Sequence, residues 1–314
     1  MPTTPFTHEH VALADSVRRL VEGPLAGAGE AAEAGGHPFS DVLHRCGEIG
    51  LFDLGDPLAE VVVAAGLGRL RSGGLVRVIL DTMLTSALGL APLEEAVAVV
   101  PDTSVDVQPN GASGHLAFVP GGGFAGRVLV LDAGIVIGLA EGAVTPLDQA
   151  HALRGSAPAS VTFESAGYER VDVDPAAIAR WELALAAAAV AGAWQTWQDA
   201  VAYARQRQAF GRPIARFQVN RHSLADAAAK LTASEALVHD AAVALAAGDS
   251  AQTATALLYA SATAVTIADR GLQLHGGNGY TTGFDAARAW RDARELRVRA
   301  PHLRRRIAGE GVRP

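Results

Sequence analysis

Two polar residues on either side of a predicted helix corner are the first candidates for binding chemistry. Arg207 lies near the C-terminal end of a predicted helix, where the helix dipole favours a cation. Phe210 and Gly211 predict a turn, Pro213 opens the next helix, and Gln218 follows shortly after. An arginine can donate two hydrogen bonds to a phosphate, and a glutamine can both donate and accept. This spacing is consistent with one ligand shared by Arg207 and Gln218, or with a plain helix hairpin whose arginines are solvated.

A second candidate is the glycine cluster that follows Gln273 at the end of a later predicted helix. Gly276, Gly277 and Gly279 lie within four positions of one another. Glycine lets a backbone approach a bulky anion closely and leaves its N–H groups free to donate. The alternative interpretation is an ordinary helix C-cap followed by a loop.

The elements that must position these residues are helices of the C-terminal region. Asp174 and Pro175 are typical of an N-cap and a first helical residue. The pattern predicts helices over about 174–209, from residue 213 to about 247, from a Ser250 cap to about 275, and over about 285–299. Because long helices joined by short Gly/Pro turns pack antiparallel, residues 174–314 are predicted to form a four-helix bundle.

The rest of the chain divides into a helical and a β-rich part. Residues 1–100 carry apolar residues at helical spacing and are predicted to be an N-terminal helical domain. Residues 101–173 carry short β-rich runs at 105–107, 116–119, 128–131, 135–137 and 160–163, separated by glycine-containing turns, which predicts a small antiparallel β domain. The predicted fold class is therefore α+β.

Taken together, these segments resemble the C-terminal helical domain of acyl-CoA dehydrogenases over about residues 175–295. The resemblance rests on an ordered set: Tyr-Ala-x-x-Arg-x-x-Phe-Gly-x-Pro-Ile from Tyr203, then Gln218, then Gln-x-x-Gly-Gly-x-Gly-Tyr from Gln273, then Arg-Asp-Ala-Arg from Arg291. It implies the three-part fold of that family, which has a helical domain, a β domain and a helical bundle.

The resemblance also implies FAD as cofactor and assigns roles to particular residues. Arg207 and Gln218 are expected to contact the diphosphate and adenosine part of a FAD held mostly by a neighbouring subunit. Gln273, Gly276 and Gly277 are expected to lie along the same ADP moiety, and Phe210 to pack near it. These side chains would act across a subunit interface.

The chain departs from the family where the reaction takes place. The Thr-Glu-Pro and Gly-Ser-Asp signature that opens the family's β domain is absent from residues 93–111. The Tyr-Glu-Gly-Thr segment that carries the catalytic Glu in many relatives is absent after residues 291–294. Other relatives place the Glu early in the long bundle helix. Glu182 lies close to that position, but an ungapped count back from Phe210-Gly211 puts Trp181 there. Glu182 is therefore a candidate base, or a helix-dipole partner or surface residue.

Composition limits the other classes of function. The 314 residues are 49% hydrophobic, enough for two or three domains, and the net charge of −7 favours neither nucleic acid nor an anionic membrane as a partner. Cys46 stands alone, so an internal disulfide is excluded. The N-terminus has neither a basic start nor an apolar core, and the longest apolar run, 183–194, is too short to span a membrane. A cytoplasmic protein without a metal site is expected.

Three functional hypotheses remain open at this stage. The chain resembles the shortened, catalytically incomplete subunit of heteromeric actinobacterial-type acyl-CoA dehydrogenases. That implies an α2β2 assembly with a full-length, acyl-CoA dehydrogenase-like partner, which supplies the β-domain contacts and the base for an acyl-CoA substrate. The second hypothesis is a homo-oligomeric FAD enzyme with a divergent active site, in which Glu182 is the base. The third is a non-enzymatic scaffold of the same fold.

Overall fold

Helices fill the N-terminal part of the chain, as predicted. The computed structural model describes residues 6–36, 39–90, 96–101, 105–147, 152–298, 303–304 and 307. The N-terminal helices are α1 (His8–Glu22), α2 (Ala28–Glu33), α3 (Phe39–Glu48), α4 (Pro57–Leu67) and α5 (Gly73–Ala87). Side chains cap several of them: Thr7 forms a capping box with His10, Asp56 accepts from Leu58 N at 3.1 Å, and Ser72 accepts from Leu75 N at 3.2 Å.

The β-rich middle forms two four-stranded sheets. The strands are β1 (Val97–Val100), β2 (Asp106–Gln108), β3 (Gly111–Val119), β4 (Arg127–Val130), β5 (Ile135–Gly138), β6 (Val144–Pro146), β7 (Ala159–Ala166) and β8 (Tyr168–Arg170). One sheet has the order β1-β4-β5-β8 and the other β2-β3-β7-β6. Leu116, Ile135, Ile137 and Val161 are buried in the core of this part.

Two features of this β part differ from the prediction. β1 lies on the helical side of the predicted boundary at residue 100, yet it pairs with β4, so a division before Val97 fits the strand pairing better. β1 also runs parallel to β4, whereas a purely antiparallel domain was predicted. Parallel neighbours need a long crossover, and the chain between β1 and β4 supplies it with β2 and β3, which belong to the other sheet.

The C-terminal region is a bundle of long helices, as predicted. Its elements are α6 (Pro175–Gln206), the short strands β9 (Gln208–Ala209) and β10 (Arg212–Pro213), α7 (Gln218–Ala246), α8 (Thr253–His275) and α9 (Ala286–Val298). Asp174 caps α6 by accepting from Ala176 N at 2.9 Å. The predicted Ser250 cap of α8 is wrong: the N-cap is Gln252, without a side-chain hydrogen bond. Arg299, the predicted end of the last helix, lies outside the described residues.

Helix α6 is the central element of the molecule. Helices α4, α5, α7, α8 and α9 all pack against it. Its buried residues include Ala184, Ala186 and Ala187, whose small side chains allow neighbouring backbones to approach closely, along with Leu183 and Leu185. Because every site discussed below touches α6, this helix sets their relative positions.

Helix α6 is also long and apolar enough to cross a membrane. Its most apolar stretch of 18 residues has a mean hydropathy of 1.4, although the uninterrupted apolar run inside the helix is shorter than a span. Within the protein, 67% of that stretch is buried. The helix therefore has the burial of a core helix in a globular fold.

Candidate cofactor-binding site

A tight hairpin follows α6 and presents the first group of predicted residues. Arg207 is the C-cap of α6: its N–H donates to Tyr203 O at 2.8 Å, and its carbonyl accepts from Ile214 N at 2.9 Å. Strands β9 and β10 pair antiparallel across the turn. Phe210 and Gly211 both have positive φ, 52° and 75°, which a type I′ turn requires. The sequence predicted that α6 would continue to about residue 209, but it ends at Gln206 to form this hairpin.

Arg207 and Gln218 lie at adjoining helix ends. The hydrogen bond from Ile214 to Arg207 closes the hairpin, and Phe217 N donates to Ile214 O at 3.2 Å just before α7 begins at Gln218. Both side chains are exposed, and Arg207 forms no ion pair with any described residue. A cation without a protein partner is available to an anionic ligand.

Phe210 stands at the tip of the hairpin and is 95% exposed. Its ring contacts Phe217 edge-on, with centroids 6.3 Å apart, and the guanidinium of Arg212 lies 4.3 Å from the centroid of Phe217. A large aromatic side chain this exposed gains little from folding. Its surroundings are aromatic and cationic, which suits a flat, anionic ligand or the surface of another protein chain.

The glycine cluster forms a short 3-10 turn, Gly276–Tyr280, directly after α8. Gln273, Gly276 and Gly277 are exposed, and a side chain added at either of these two glycines would meet nothing within 4 Å. Gly279 is different, because a Cβ there would lie 2.9 Å from His275 and from Leu272. The turn therefore keeps one glycine for packing and exposes two backbone positions to solvent.

Tyr203 connects the two segments. Its ring stacks on His275 with centroids 4.2 Å apart. Its hydroxyl donates to His275 O at 3.3 Å and accepts from Asn278 Nδ2 at 3.1 Å. Because Arg207 follows Tyr203 by one helical turn, the glycine turn and the arginine belong to the same end of the bundle. We call the exposed group Arg207, Phe210, Gln218, Gln273, Gly276 and Gly277 the bundle-end site.

The bundle-end site fits the ADP half of a FAD. Arg207 supplies a free cation, Gln218 and Gln273 supply amides, and Gly276 and Gly277 leave an open stretch of backbone. A diphosphate needs these donors and this close approach.

In the family that the sequence resembles, the flavin ring lies at the opening of the β domain, and the described residues leave little room there. Part of this region, residues 91–95 and 102–104, lies outside the described residues. Between α5, β1 and the turn at Pro120-Gly121, the described residues enclose a cavity of about 10 Å³. That volume holds about one water molecule. Nearby, the rings of Phe39 and Phe124 stack with centroids 4.1 Å apart. This cavity is too small for an isoalloxazine ring.

A buried polar cluster occupies the expected position of the catalytic base. Trp181, which the ungapped count places there, is 6% exposed, and its Nε1 donates to Asp81 Oδ1 at 3.0 Å. Arg77 Nε donates to the same oxygen at 2.6 Å, and its guanidinium lies 5.2 Å from the centroid of the Trp181 ring. Sequence reasoning missed Arg77 and Asp81 because they lie about 100 residues before Trp181.

Glu182, the candidate base, points into the helical core. It is only 2% exposed, so the alternative of a surface residue is wrong. Its Oε2 accepts a hydrogen bond from Thr253 Oγ1 at 3.3 Å at the start of α8. Glu182 lines neither the small cavity beside β1 nor the larger cavity described next.

A cavity of about 150 Å³ lies between α5, α6, α8 and α9. Arg71, at positive φ of 56°, closes part of its rim: it forms a two-pronged ion pair with Asp199 at 2.8 and 3.1 Å, and a second pair with Asp285 at 2.6 Å. Asp292 accepts from Leu153 N at 2.8 Å and from Gly73 N at 3.1 Å. Burial raises the pKa of Asp292 to about 7 despite these two donors.

In the described part of the chain, no group of three His, Cys, Asp or Glu side chains could hold a metal ion.

The described chain has helices, then a β part, then a helical bundle whose end carries the exposed bundle-end site. The family model for the C-terminal domain of acyl-CoA dehydrogenases matches residues 176–299. By sequence, these residues are similar to the C-terminal domain of acyl-CoA dehydrogenases, and the described chain has the fold of that family.

Two curated relatives match over segments of similar length. The 3-(aryl)acrylate reductase of Clostridium sporogenes is 36% identical over 118 residues, which are 37% of this chain and 31% of the relative. The acyl-CoA dehydrogenase IpdE2 of Mycobacterium tuberculosis is 38% identical over 112 residues, which are 36% of this chain and 34% of the relative. The matched region thus spans about a third of the length of these relatives.

Two solved structures have the same fold over nearly the whole chain. Butyryl-CoA dehydrogenase of Megasphaera elsdenii has a TM-score of 0.79 and 20% identity, over 99% of this chain and 100% of that one. An acyl-CoA dehydrogenase of Bacillus anthracis complexed with FAD has a TM-score of 0.78 and 18% identity, over 98% of this chain and 69% of that one. At such low identity, these likenesses show the fold alone.

Proposed function

We propose that this chain is one subunit of a hetero-oligomeric, FAD-dependent acyl-CoA dehydrogenase. In that complex, its bundle-end site would bind the ADP half of a FAD that is held mostly by a partner subunit. One observation carries the proposal. The residues that would reach a neighbour's ADP moiety are exposed, while the described residues beside β1 enclose a cavity of only about 10 Å³. A chain that bound a whole FAD by itself, or that had lost FAD binding entirely, would not combine an exposed ADP-side site with so small a cavity beside β1.

The bundle-end site and the residue at the position of the base, Trp181, indicate which parts of such an enzyme each subunit would supply. FAD held at the bundle-end site would supply the acceptor for the hydride that leaves the β carbon of an acyl-CoA thioester. Arg207 would hold the diphosphate by forked hydrogen bonds, and Gln218 and Gln273 would orient the adenosine side. Trp181, bound to Asp81, carries no group that removes a proton, so the carboxylate that takes the α proton would come from the partner, a full-length relative in an α2β2 assembly.

A cytoplasmic location fits this proposal. The lone Cys46 is buried, and burial raises the pKa of its thiol to about 12, which keeps it protonated and unreactive. Most of the one long apolar helix among the described residues is buried in the core.

Co-expression of this chain with a flavin-binding relative tests the proposal. The wild-type complex should be yellow and active on an acyl-CoA. In Arg207→Ala, loss of charge-assisted hydrogen bonds worth roughly 1.5–3 kcal/mol should weaken FAD binding about 10- to 100-fold. The measurement is flavin absorbance per mole of purified complex, with turnover alongside.

Arg205→Ala is the matched control. Arg205 is exposed on the last turn of the same helix and forms no ion pair with any described residue, but it lies two positions away and faces another side. It should retain wild-type flavin content. If Arg207→Ala leaves flavin content and turnover unchanged, or if both variants lose flavin equally, the assignment of Arg207 is wrong.

A further inference from the structure

Positive charge is concentrated in the stretch between Asp199 and Asp226. Residues 200–225 contain five arginines and one histidine, and no aspartate or glutamate. Because the whole chain has a net charge of −7, the remaining residues carry −12. The stretch runs from the end of α6 through the β9–β10 hairpin into the first two turns of α7. This corner is therefore a positive region on a negative molecule, and such a region attracts an anionic surface.

The arginines of this corner are not neutralised within the described part of the chain. They are Arg205, Arg207, Arg212, Arg216 and Arg221, and all five are exposed. None of them forms an ion pair with a described residue. Elsewhere, exposed arginines such as Arg18 and Arg294 pair with a nearby carboxylate, at 3.0 and 2.8 Å. Five like charges on one corner repel one another, and an acidic partner would relieve that repulsion.

The same arginines flank an exposed apolar group. Phe210 at the hairpin tip is 95% exposed, and Val219 on the first turn of α7 is 74% exposed. The guanidinium of Arg212 lies 4.3 Å from the ring centroid of Phe217, and that ring contacts Phe210. Protein–protein interfaces combine an apolar centre with a polar rim, and arginine is enriched in them. This arrangement favours a protein surface as the anionic partner.

We propose that the exposed arginines around Phe210, other than Arg207, are the docking surface for an acidic face of the flavin-holding partner subunit. We call this group the basic rim; it consists of Arg205, Arg212, Arg216 and Arg221. The inference rests on the proposed function, because Arg207 of the bundle-end site lies in the same stretch. The two roles differ, since Arg207 serves the cofactor and the basic rim contacts protein.

The expected effect of the basic rim is on the rate of assembly. Charges at the edge of an interface mainly change the association rate and its dependence on salt, and change the final affinity less. Exposed charges are screened over about 8 Å at physiological ionic strength, so the acidic face must dock directly against the arginines. The flavin content of the assembled complex should not depend on the basic rim.

A variant with three rim charges removed tests this assignment. It carries Arg205→Gln, Arg216→Gln and Arg221→Gln. Arg212 is kept because it packs on Phe217. The matched control removes three charges from exposed arginines of α3, of the 3-10 turn after α4 and of the loop before β7, none of which forms an ion pair with a described residue. It carries Arg45→Gln, Arg69→Gln and Arg154→Gln. Both variants change the net charge equally.

The first measurement uses the purified full chain and two labelled anionic probes. A fluorescein-labelled decaglutamate peptide represents an acidic protein surface, and labelled decathymidylate represents a nucleic acid. Fluorescence anisotropy at low and at physiological salt gives the dissociation constant of each probe. We expect decaglutamate to bind in a salt-dependent way. The rim variant should weaken its binding by at least about threefold, and the control variant by less than about twofold.

The second measurement follows assembly with the flavin-binding relative, expressed separately and mixed with this chain. Light scattering after rapid mixing gives the association rate at two ionic strengths. The rim variant should associate about tenfold more slowly at low salt and lose most of the salt dependence, whereas the control variant should follow wild type. The assembled complex of the rim variant should have wild-type flavin content, because Arg207 is intact.

Four results would overturn the proposal. Equal effects of the rim and control variants would mean that net charge alone is responsible. An unchanged association rate in the rim variant would remove the docking role and leave the proposed function standing, provided that Arg207→Ala still loses flavin. Tighter, rim-dependent binding of decathymidylate than of decaglutamate would assign the surface to nucleic acid. Salt-dependent self-association of the free chain that the rim variant abolishes, seen by analytical ultracentrifugation, would assign it to a second copy. Failure of the wild-type chain to form any complex would contradict this inference and the proposed function together.

Discussion

Arg77, Asp81 and Trp181 form a buried polar cluster at one of the positions where relatives carry the catalytic Glu. Arg77 and Asp81 are one helical turn apart on α5, and both are about 3% exposed. Two charges removed from water require close pairing and further hydrogen bonds. Asp81 receives donors from Arg77 and from Trp181, and Arg77 reaches Val99 on β1. The cluster thereby ties α5, α6 and the first sheet together at the position expected for the reaction.

Removal of one charge from this cluster should be far worse than removal of both. Asp81→Ala leaves Arg77 buried without its counter-ion and should lower the free energy of unfolding by about 3–5 kcal/mol. The double variant Arg77→Met with Asp81→Asn should lose less than half of that, because no buried charge remains. Urea unfolding followed by circular dichroism measures both. Equal losses of unfolding free energy in the two variants would show that the unpaired charge of Arg77 is not the cause of the destabilisation in Asp81→Ala.

Glu60 gives a prediction about pH. It is 8% exposed on α4, and its Oε1 lies 3.6 Å from Arg180 Nε. Burial raises the pKa of Glu60 from its usual 4.5 to about 7, and the nearby Asp56 adds to the rise. The folded state therefore favours the protonated form. Its contribution to stability is fully present below pH 4.5 and is lost as pH rises through about 7.

Glu60→Gln should remove this pH dependence. Relative to wild type, the variant should gain stability as pH rises from about 5 to about 8, by up to roughly 3 kcal/mol from the linkage relation. Urea midpoints at both pH values measure the gain. Glu164→Gln, at an exposed position on β7, is the control and should follow the wild-type curve. A Glu60→Gln curve parallel to wild type would contradict the raised pKa.

At the scale of the elements, the residue type at the turn of the β9–β10 hairpin is not explained by the stability of the folded chain. A two-residue type I′ turn prefers Asn-Gly, because asparagine tolerates positive φ better than an aromatic residue. Here Phe210 occupies the first position at φ 52° and is 95% exposed. Neither conformation nor burial accounts for a phenylalanine there, so contact with another molecule is the reason that fits.

Phe210→Asn should therefore have opposite effects on the free chain and on the complex. The free chain should gain a few tenths to about 1 kcal/mol, because the turn strain is relieved. The complex with the flavin-binding partner should dissociate more readily, since an exposed aromatic anchor is lost. Thermal unfolding measures the first effect and size-exclusion chromatography the second. Val11→Asn removes a 58% exposed side chain on α1 and serves as control. A complex of unchanged stability would mean that Phe210 does not contact the partner.

Local signals predicted some elements and missed others for physical reasons. Asp174-Pro175 located the start of α6 because a cap and a first-turn proline act through neighbouring residues only. β1 was missed because four consecutive apolar residues do not distinguish a strand from a buried helix. The α8 cap was missed because Ser250 competes with Asp249, which accepts from Ala251 N in the preceding turn.

The candidate site likewise combines features that local sequence predicts with contacts between residues far apart in the chain. Exposure at Arg207 and Gln218 followed from a short turn between two helices, which the sequence displays directly. The link through Tyr203 to His275 joins residues 72 positions apart, and the bond between Trp181 and Asp81 joins residues 100 apart. Such pairs depend on how helices pack, and helical periodicity alone does not specify the partner.

At the scale of the whole molecule, the two ends of the bundle differ in how far their side chains are exposed to solvent. One end, near β1, is closed by stacked phenylalanines and by the cluster around Asp81. The other end exposes Phe210, Val219 and Tyr280, each at least 74% accessible, around the free Arg207. Exposed apolar side chains around a cation mark a contact surface. This difference supports the proposal that the exposed end contacts a partner subunit.

Under the proposed function, the purified chain by itself should contain no stoichiometric flavin, even after incubation with FAD, because it supplies only the ADP-side residues of the site. After co-expression with a flavin-binding relative, the two chains should co-elute at a larger size, with flavin bound and acyl-CoA oxidation measurable. Each other hypothesis gives a different result. A homo-oligomeric enzyme would carry flavin without any partner. A scaffold would form a complex whose flavin content equals that of the partner alone and does not change in Arg207→Ala. Absorbance spectra of the three preparations, at matched protein concentration, decide among them.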